Sequence, residues 1–250
     1  MHSTLSTAFQ PIRALDTGLV LGVEALTRFA GRPGQSPGMS FETASLAGCV
    51  VELEFRAMEA ALIAAAVLPP HVYVSVNLSP QSCLDPRLDE VIGNARVRPR
   101  RVVLELTEHS RITDYDALRA SLARVRAAGL RIAVDDTGAG FASMRHVLEL
   151  KPDFIKLDRG IIGGIDTDYA KRAFGVAMVG FSSSTGAILV AEGIEREGEL
   201  ATLREIGVPA GQGFLLGSPT VLNSATDAHE LITGNLDWSV PQTQKMPPLH

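Results

Sequence analysis

Two adjacent carboxylates follow the most strand-like stretch of the sequence. Apart from Arg131, residues 130–134 are apolar and partly β-branched, which predicts a buried strand, and Asp135 and Asp136 come directly after it. Neighbouring side chains on a strand point to opposite faces, so both acids can face one site only if the strand ends there. Gly138 and Gly140 would allow a sharp turn beside a ligand. The pair indicates a divalent cation held by oxygen ligands or, alternatively, a helix-capping aspartate beside a solvated neighbour.

Polar residues also lie within or directly after the other strand-like segments. Together with the acidic pair, they are Glu24, Asn77, Glu105, Asp135, Asp136, Lys156, Glu192 and Gln212. If the strands close into a barrel, these groups meet at its carboxyl-terminal mouth. Five carboxylates in one pocket repel one another, and some would stay protonated unless cations neutralised them. Carboxylate and amide oxygens suit Mg²⁺ or Mn²⁺ better than zinc, so we predict one or two such ions.

Each polar residue also has an ordinary structural explanation. The acids and Asn77 could lie on solvated strand faces, in turns or at helix starts. Lys156 could pair with Asp153 or Asp158. The joint placement at strand ends favours a metal site over these separate explanations.

Other common catalytic patterns do not occur in the sequence. It has no HExxH pair, no GxxxxGK[ST] loop and no GxSxG elbow. Gly138-Ala139-Gly140 lacks the third glycine of a dinucleotide fingerprint, since Ser143 stands at that position. Cys49 and Cys83 have no histidine nearby, and two cysteines do not form a disulfide framework.

The segments that must position these groups alternate along the chain. Strands at residues 8–14 and 19–29 flank a tight turn and must be antiparallel; a loop at 31–40 and a helix at 42–66 follow. Six further strands are predicted at 72–76, 102–106, 130–134, 154–157, 187–191 and 208–215. Helical segments are predicted at 86–95, 114–128, 142–150, 169–182, 197–206 and 224–232. Eight strands predict an α/β fold, a (β/α)8 TIM-type barrel modified by an antiparallel first strand.

Composition and charge narrow the possible functions. The 250 residues suffice for one such barrel, so we expect a single domain at residues 1–234 and a polar tail at 235–250. A formal net charge of −5 gives no reason to expect a duplex nucleic-acid surface. The chain starts without a signal-peptide pattern, and its most apolar stretch, 57–68, is too short to span a bilayer. We therefore expect a soluble cytoplasmic protein that does not bind membranes.

The ordered motifs resemble those of the EAL domain, a bacterial phosphodiesterase domain that cleaves cyclic di-guanosine monophosphate (cyclic di-GMP). The resemblance runs from Phe9-Gln10-Pro11-Ile12 to Gly217-Ser218-Pro219. Its landmarks are Glu24-Ala25-Leu26-Thr27-Arg28, Val76-Asn77-Leu78-Ser79, Glu105-Leu106-Thr107-Glu108, Asp135-Asp136-Thr137-Gly138-Ala139-Gly140, Lys156-Leu157-Asp158-Arg159, Ala191-Glu192-Gly193-Ile194-Glu195 and Gln212-Gly213-Phe214. The family fold is a (β/α)8 barrel with an antiparallel first strand, in agreement with the predicted hairpin.

The resemblance also implies two metal sites. It implies that the ligands of the first ion are Glu24, Asn77, Glu105 and Asp135. It implies that the ligands of the second ion are Asp135, Asp136 and Glu192, so that Asp135 would bridge the two.

Further roles follow from the same resemblance. Lys156 would hold and polarise the attacking water, and Arg28 would contact a substrate phosphate. Gln212 and Gly213 would also contact the substrate. Glu108 would anchor the loop after Asp136, and Glu195 would support the second ion from the outer shell.

That loop departs from the family pattern. Thr137 stands where phenylalanine is usual, Ala139 where threonine is common and Phe141 where tyrosine is common. Thr137 is the most relevant change, because in the family this loop couples metal binding to dimer contacts.

The activity implied is hydrolysis of cyclic di-GMP to the linear dinucleotide pGpG, with two Mg²⁺ or Mn²⁺ ions per active site and inhibition by Ca²⁺. A homodimer is implied as well. We also expect control by a regulatory partner protein or by another region of a longer chain, because no sensor, receiver or cyclase domain is visible in the sequence. The alternatives are a weak or inactive receptor for the same dinucleotide and a protein-interaction module.

Overall fold

Nine strands and ten α-helices make up the part of the chain that the structure describes. A computed structural model covers residues 5–29, 37–106, 112, 114–137 and 141–234. The strands are β1 (Leu5–Ala14), β2 (Val20–Phe29), β3 (Tyr73–Leu78), β4 (Val102–Leu106), β5 (Arg131–Thr137), β6 (Phe154–Leu157), β7 (Ile188–Ala191), β8 (Ala210–Gly211) and β9 (Thr220–Val221). The helices are α1 (Pro37–Leu46), α2 (Val50–Ala64), α3 (Pro80–Cys83), α4 (Arg87–Asn94), α5 (Tyr115–Ala127), α6 (Phe141–Leu150), α7 (Arg159–Ile162), α8 (Tyr169–Thr185), α9 (Glu197–Glu205) and α10 (Ala225–Thr233). The predicted tail at 235–250 lies outside these residues.

Strand β1 closes the sheet into a barrel. The strand order is β2-β3-β4-β5-β6-β7-β8-β1-β9, and β1 also pairs with β2, which completes the ring. β1 runs antiparallel to β2, β8 and β9, whereas the pairs from β2 to β8 are parallel. The predicted (β/α)8 TIM-type fold with an antiparallel first strand is therefore confirmed.

An apolar layer fills one level of the barrel interior. It consists of Ile12, Tyr73, Val103, Ala133, Phe154, Val190 and Ala210, one residue from each of seven strands. The eighth strand, β2, contributes Gly22, where a Cβ atom would lie only 2.3 Å from Cε2 of Tyr73. Only glycine therefore leaves room for this ring. The Arg131 guanidinium stacks on the rings of Tyr73 and Phe154, 5.0 and 4.9 Å from their centroids.

The larger apolar core lies between the barrel and its helices. Helix α5 illustrates how the sequence directs this packing, because Leu118, Leu122 and Val125 recur at helical spacing and are all buried. Asp114 caps the helix by accepting a hydrogen bond from the Ala117 amide at 2.9 Å. Among the described residues, no helix is both long and apolar enough to cross a membrane.

Two predicted boundaries were wrong for identifiable reasons. Helix α1 begins at Pro37, inside the segment predicted as a loop, because a proline is tolerated in the first turn of a helix. The last strand was predicted at 208–215, but β8 is only Ala210–Gly211. The chain turns soon afterwards, and the amides of Leu216 and Gly217 both donate to the Gly213 carbonyl at 3.0 Å.

Candidate active site

A polar layer lies two residues beyond the apolar layer on β2 to β8, toward the carboxyl ends of the strands. Its members are Glu24, Ser75, Glu105, Asp135, Lys156, Glu192 and Gln212. Alternation along each strand aims these side chains into the barrel, as it does the apolar residues. Asn77 lies two residues beyond Ser75 on β3, nearer the carboxyl end of the strand. The structure thus brings all six predicted metal ligands together with Lys156 and Gln212.

Lys156 is the centre of this polar layer. Its ammonium lies close to four carboxylates and is almost fully buried. Nζ contacts Glu105 Oε1 and lies 2.6 Å from Glu192 Oε1, 3.4 Å from Glu24 Oε2 and 3.4 Å from Asp135 Oδ1. One buried cation therefore serves four acids, which leaves the cluster with an excess of negative charge.

The alternative partners of Lys156 are engaged elsewhere. Asp153 Oδ2 accepts a hydrogen bond from the Ile132 amide at 2.8 Å. Asp158 Oδ1 accepts one from the Gly160 amide at 2.6 Å and caps α7. Both aspartates thus have local structural roles outside the polar layer.

Two amides tie the carboxylates to each other. Asn77 Nδ2 donates to Glu24 Oε1 at 3.0 Å. Gln212 Nε2 donates to Glu24 Oε2 at 2.6 Å and to Glu192 Oε1 at 2.8 Å. The Gln212 Oε1 atom is buried and has no hydrogen-bond partner in the described part of the chain. It remains available to accept a hydrogen bond from a bound molecule.

A bulge in β5 brings both adjacent aspartates to the site. The strand was expected to stop before Asp135, but it continues to Thr137. The pairing register with β6 shifts between Val134 and Thr137, and Asp136 adopts a positive φ of 53°. Such a bulge changes the direction of one side chain without ending the strand. The expectation that the strand must end for both acids to face one site was therefore wrong. Both Asp135 and Asp136 nevertheless reach the site.

The acidic oxygens form two groups that fit divalent cations. Within each group, oxygen atoms of all three residues lie within 4.8 Å of one another. The groups are Glu24, Glu105 and Glu192, and Asp135, Asp136 and Glu192. All these donors are carboxylate oxygens, as hard cations such as Mg²⁺ and Mn²⁺ prefer. Glu192 belongs to both groups, whereas the family resemblance predicts Asp135 as the shared ligand.

The pKa values in this cluster are displaced in opposite directions. Burial, reinforced by the neighbouring acids Glu192 and Glu24, raises the pKa of Asp135 well above its usual range. Burial also raises the pKa of Glu192, although Lys156 opposes it. At Glu24, burial acts in the same direction, but Lys156 and two amide donors outweigh it and lower the pKa. Burial disfavours the Lys156 ammonium, but Glu192 and Glu24 more than compensate and raise its pKa. The site therefore favours added positive charge.

The remaining predicted residues lie at the edge of the polar layer or outside it. Arg28, four residues past Glu24, is half-buried, and its Nη1 donates to the Thr27 carbonyl at 3.1 Å. Gly213 passes so close to Ile194 that a Cβ atom would lie 2.1 Å from the Ile194 carbonyl oxygen. Glu195 forms a two-point ion pair with Arg159, with Nη2 to Oε2 at 2.6 Å. The predicted loop anchor Glu108 lies outside the described residues.

Comparison with known proteins assigns this architecture to a family. The family model for the EAL domain matches residues 2–219. The chain belongs to the EAL domain family. The antiparallel first strand, the acidic residues of the polar layer and Lys156 all lie within the matched residues, in the order predicted from the motifs.

Relatives of this EAL domain include enzymes of cyclic di-GMP metabolism. The bifunctional diguanylate cyclase/cyclic di-GMP phosphodiesterase MucR of Pseudomonas aeruginosa is 30% identical over 222 residues, which is 84% of this chain and 32% of MucR. A structure of the PaMucR phosphodiesterase in complex with cyclic di-GMP is 29% identical with a TM-score of 0.78, and covers 87% of this chain and 92% of that one. A manganese/cyclic di-GMP complex of Klebsiella pneumoniae BlrP1 at pH 6 is 30% identical with a TM-score of 0.78, and covers 87% of this chain and 56% of that one. The EAL domain chain spans 27–32% of the length of four curated relatives.

One position of this EAL domain, expected from the sequence to differ from the usual family pattern, is fully buried beside the acidic pair. Thr137 is 0% exposed, and within the described residues its hydroxyl has no hydrogen-bond partner. A buried hydroxyl without a partner costs about 1–3 kcal/mol. As far as the described residues show, Thr137 thus places an unsatisfied hydroxyl next to Asp136.

Replacing Thr137 with valine is expected to stabilise the EAL domain. The Thr137→Val change removes the unpaired hydroxyl and keeps the β-branched shape, so the free energy of unfolding should rise by about 1 kcal/mol. Urea denaturation would measure it. As a control at an exposed helix position, Thr185→Val removes a hydroxyl that donates to the Phe181 carbonyl at 3.1 Å, so no gain is expected there. A loss of stability in Thr137→Val would show that its hydroxyl is hydrogen-bonded in solution.

Proposed function

We propose that this chain is a metal-dependent phosphodiesterase that hydrolyses cyclic di-GMP to linear pGpG. The observation that carries the proposal is the buried Lys156 ammonium among four carboxylates at the mouth of an EAL barrel. Relatives that are named as cyclic di-GMP phosphodiesterases support the choice of substrate. Because the chain spans less than half of these relatives, the activity of the whole protein is part of the proposal.

The polar layer would bind two divalent cations. We propose that the ligands of the first are Glu24, Asn77, Glu105 and Asp135, and that those of the second are Asp135, Asp136 and Glu192. Two Mg²⁺ or Mn²⁺ ions in such a site supply charge neutralisation for the phosphodiester and activation of a water molecule. Oxygen donors and the excess negative charge of the described cluster support this assignment.

Lys156 would orient the attacking water and would not act as a general base. The neighbouring acids raise its pKa, so the side chain remains an ammonium at neutral pH. An ammonium carries three donors and no acceptor, and it can therefore hold a water oxygen but cannot take its proton. This role matches the burial of Lys156, since a buried donor has few competing waters.

Arg28 would hold a phosphate of the substrate at the rim of the barrel. Its guanidinium can donate paired hydrogen bonds to phosphate oxygens, a geometry that lysine does not offer. Gln212 would contribute its unpartnered Oε1 atom, which can accept a hydrogen bond from the ligand. Gly213 would allow close approach of the backbone. The homodimer and the regulatory partner protein stay predictions.

Product analysis tests the proposal directly. Purified protein is incubated with cyclic di-GMP and Mg²⁺ or Mn²⁺, and the nucleotides are separated by chromatography. Linear pGpG should appear, and chelator or the Glu24→Ala change should abolish it. Ca²⁺ should support binding of the dinucleotide without turnover. The matched change Glu59→Ala, at an exposed acid of α2, should leave turnover intact.

The same assay separates the alternatives. Binding of cyclic di-GMP without product in any of the metals would contradict the enzyme and favour a receptor. Neither binding nor product would favour a protein-interaction module. Thr137, which is adjacent to Asp136 and departs from the family pattern, would then be the first residue to replace with phenylalanine.

A further inference from the structure

We infer that Ser75 is a positioning residue for Glu105 and that its hydroxyl strengthens the binding of divalent cations. The inference rests on the proposed function, because it concerns one of the proposed metal ligands. Ser75 was not among the residues predicted from the sequence.

Ser75 belongs to the polar layer in the interior of the barrel. On β3, Tyr73 belongs to the apolar layer, Ser75 to the polar layer, and Asn77 lies one step further toward the mouth. Ser75 is 2% exposed. In the sheet it is paired with Glu24 on β2 and with Val103 on β4. Its side chain is therefore enclosed by protein.

The hydroxyl of Ser75 holds one oxygen of Glu105. Ser75 Oγ donates a hydrogen bond to Glu105 Oε2, while Glu105 Oε1 contacts Lys156 Nζ. Glu105 is 0% exposed, so bulk water cannot replace either partner. The two oxygens of this carboxylate thus face different groups. Oε2 is fixed by the serine, and Oε1 is left to face the charged centre of the site.

Packing alone does not explain a serine at this position. An interior strand position is filled well by a β-branched apolar residue, as Val103 and Val190 do in the adjacent layer. A buried hydroxyl, in contrast, costs stability unless it is hydrogen-bonded. The partner that satisfies Ser75 is the carboxylate of a proposed ligand.

A fixed carboxylate should bind a cation more tightly than a free one. A glutamate that can rotate loses conformational freedom when it binds, and that loss weakens the affinity. Partners that hydrogen-bond to metal ligands typically account for about 10–100-fold in affinity or activity. If Ser75 acts in this way, its removal should weaken metal binding but spare turnover once the metal is saturating. If the serine only satisfies its own hydroxyl, its removal should leave the affinity for metal unchanged.

Calorimetric titration of the full chain with Mn²⁺, without nucleotide, tests the inference. Ser75→Ala is expected to raise the Kd for Mn²⁺ about 10–100-fold. The matched change Ser182→Ala removes another buried serine hydroxyl, which donates to the Val179 carbonyl at 3.0 Å on α8, and should leave the Kd unchanged. In turnover assays, Ser75→Ala should need more Mn²⁺ for half-maximal rate and should approach the wild-type kcat at saturating Mn²⁺.

The outcomes distinguish this inference from the proposed function. An unchanged Kd in Ser75→Ala, with tight binding in the wild type, overturns the positioning role and leaves the metal site standing. A lower kcat at saturating Mn²⁺ with an unchanged Kd also overturns it, because the hydroxyl would then act after metal binding. Failure of the wild-type chain to bind Mn²⁺ would contradict the proposed function itself.

Discussion

Lys156→Met is expected to lower the free energy of unfolding in excess chelator by about 3–5 kcal/mol and to abolish hydrolysis. Methionine has a similar length but no charge, so four buried carboxylates lose the cation that they share. Removing one partner of a buried ion pair leaves a charge that neither water nor protein compensates. Urea denaturation followed by circular dichroism would measure the loss, and product chromatography would measure turnover.

Addition of Mn²⁺ should restore part of the stability lost in Lys156→Met, but not its activity. A cation that binds only the folded state stabilises it by mass action, and it replaces some of the missing positive charge. The control is Lys171→Met, because within the described residues the Lys171 ammonium has a single hydrogen bond, to the Gly163 carbonyl at 2.6 Å, and no carboxylate partner. Equal stability of wild type and Lys156→Met in chelator would contradict the view that Lys156 balances the cluster.

Asp135→Asn is expected to raise stability in chelator while it weakens metal binding. Burial, Glu192 and Glu24 raise the pKa of Asp135, so its charged form is unfavourable in the folded protein. Asparagine removes that charge and keeps an oxygen that can accept the Asp136 amide, now bonded to Asp135 Oδ1 at 2.9 Å. Each kcal/mol gained should raise the Tm by about 2–4 °C in a protein of this size.

Mn²⁺ affinity should change in the opposite direction to stability in Asp135→Asn. Changes to residues that only hydrogen-bond to metal ligands weaken binding about 10–100-fold. Loss of the proposed direct ligand Asp135 should weaken Mn²⁺ binding by more than that. Asp168→Asn is the matched control, because Asp168 caps α8 from the surface and asparagine caps equally well. A lower Tm in Asp135→Asn would show that Asp135 is a necessary counter-ion of Lys156 and not surplus charge.

The strands that the sequence predicted best are those buried on both faces. Residues 102–106 and 154–157 were predicted as strands and are β4 and β6 in the structure. Both runs are short and apolar except for one charged residue each, Glu105 and Lys156, and polar residues at both ends leave little choice of boundary. β8 was overestimated because the apolar run continues through Phe214 and Leu215, whereas the backbone turns at Gly213.

The charged residues of the site could be predicted from the sequence. Features that depend on strand pairing or on a short uncharged side chain could not. Acids and a lysine at strand ends stand out in an apolar background, and the structure gathers them as expected. The bulge at Asp136 could not be predicted, because it depends on the pairing of β5 with β6. Ser75 was missed because a serine in a strand is common. The one signal in the sequence was its spacing, two residues before Asn77 and therefore on the same face of the strand.

The closure of the barrel by β1 has a consequence for the order in which the molecule assembles during translation. Parallel pairs from β2 to β7 can form as each strand leaves the ribosome, but the ring needs β8, which pairs with β1 at Arg13 and Gly211. The Gln212 amide that joins Glu24 to Glu192 lies 188 positions after Glu24. Contacts of such long separation form late, because the entropy of closing the loop must be overcome first. The polar layer is therefore complete only once Gln212 has been synthesised, and a chain that stops before β8 carries an open sheet without its full set of polar residues.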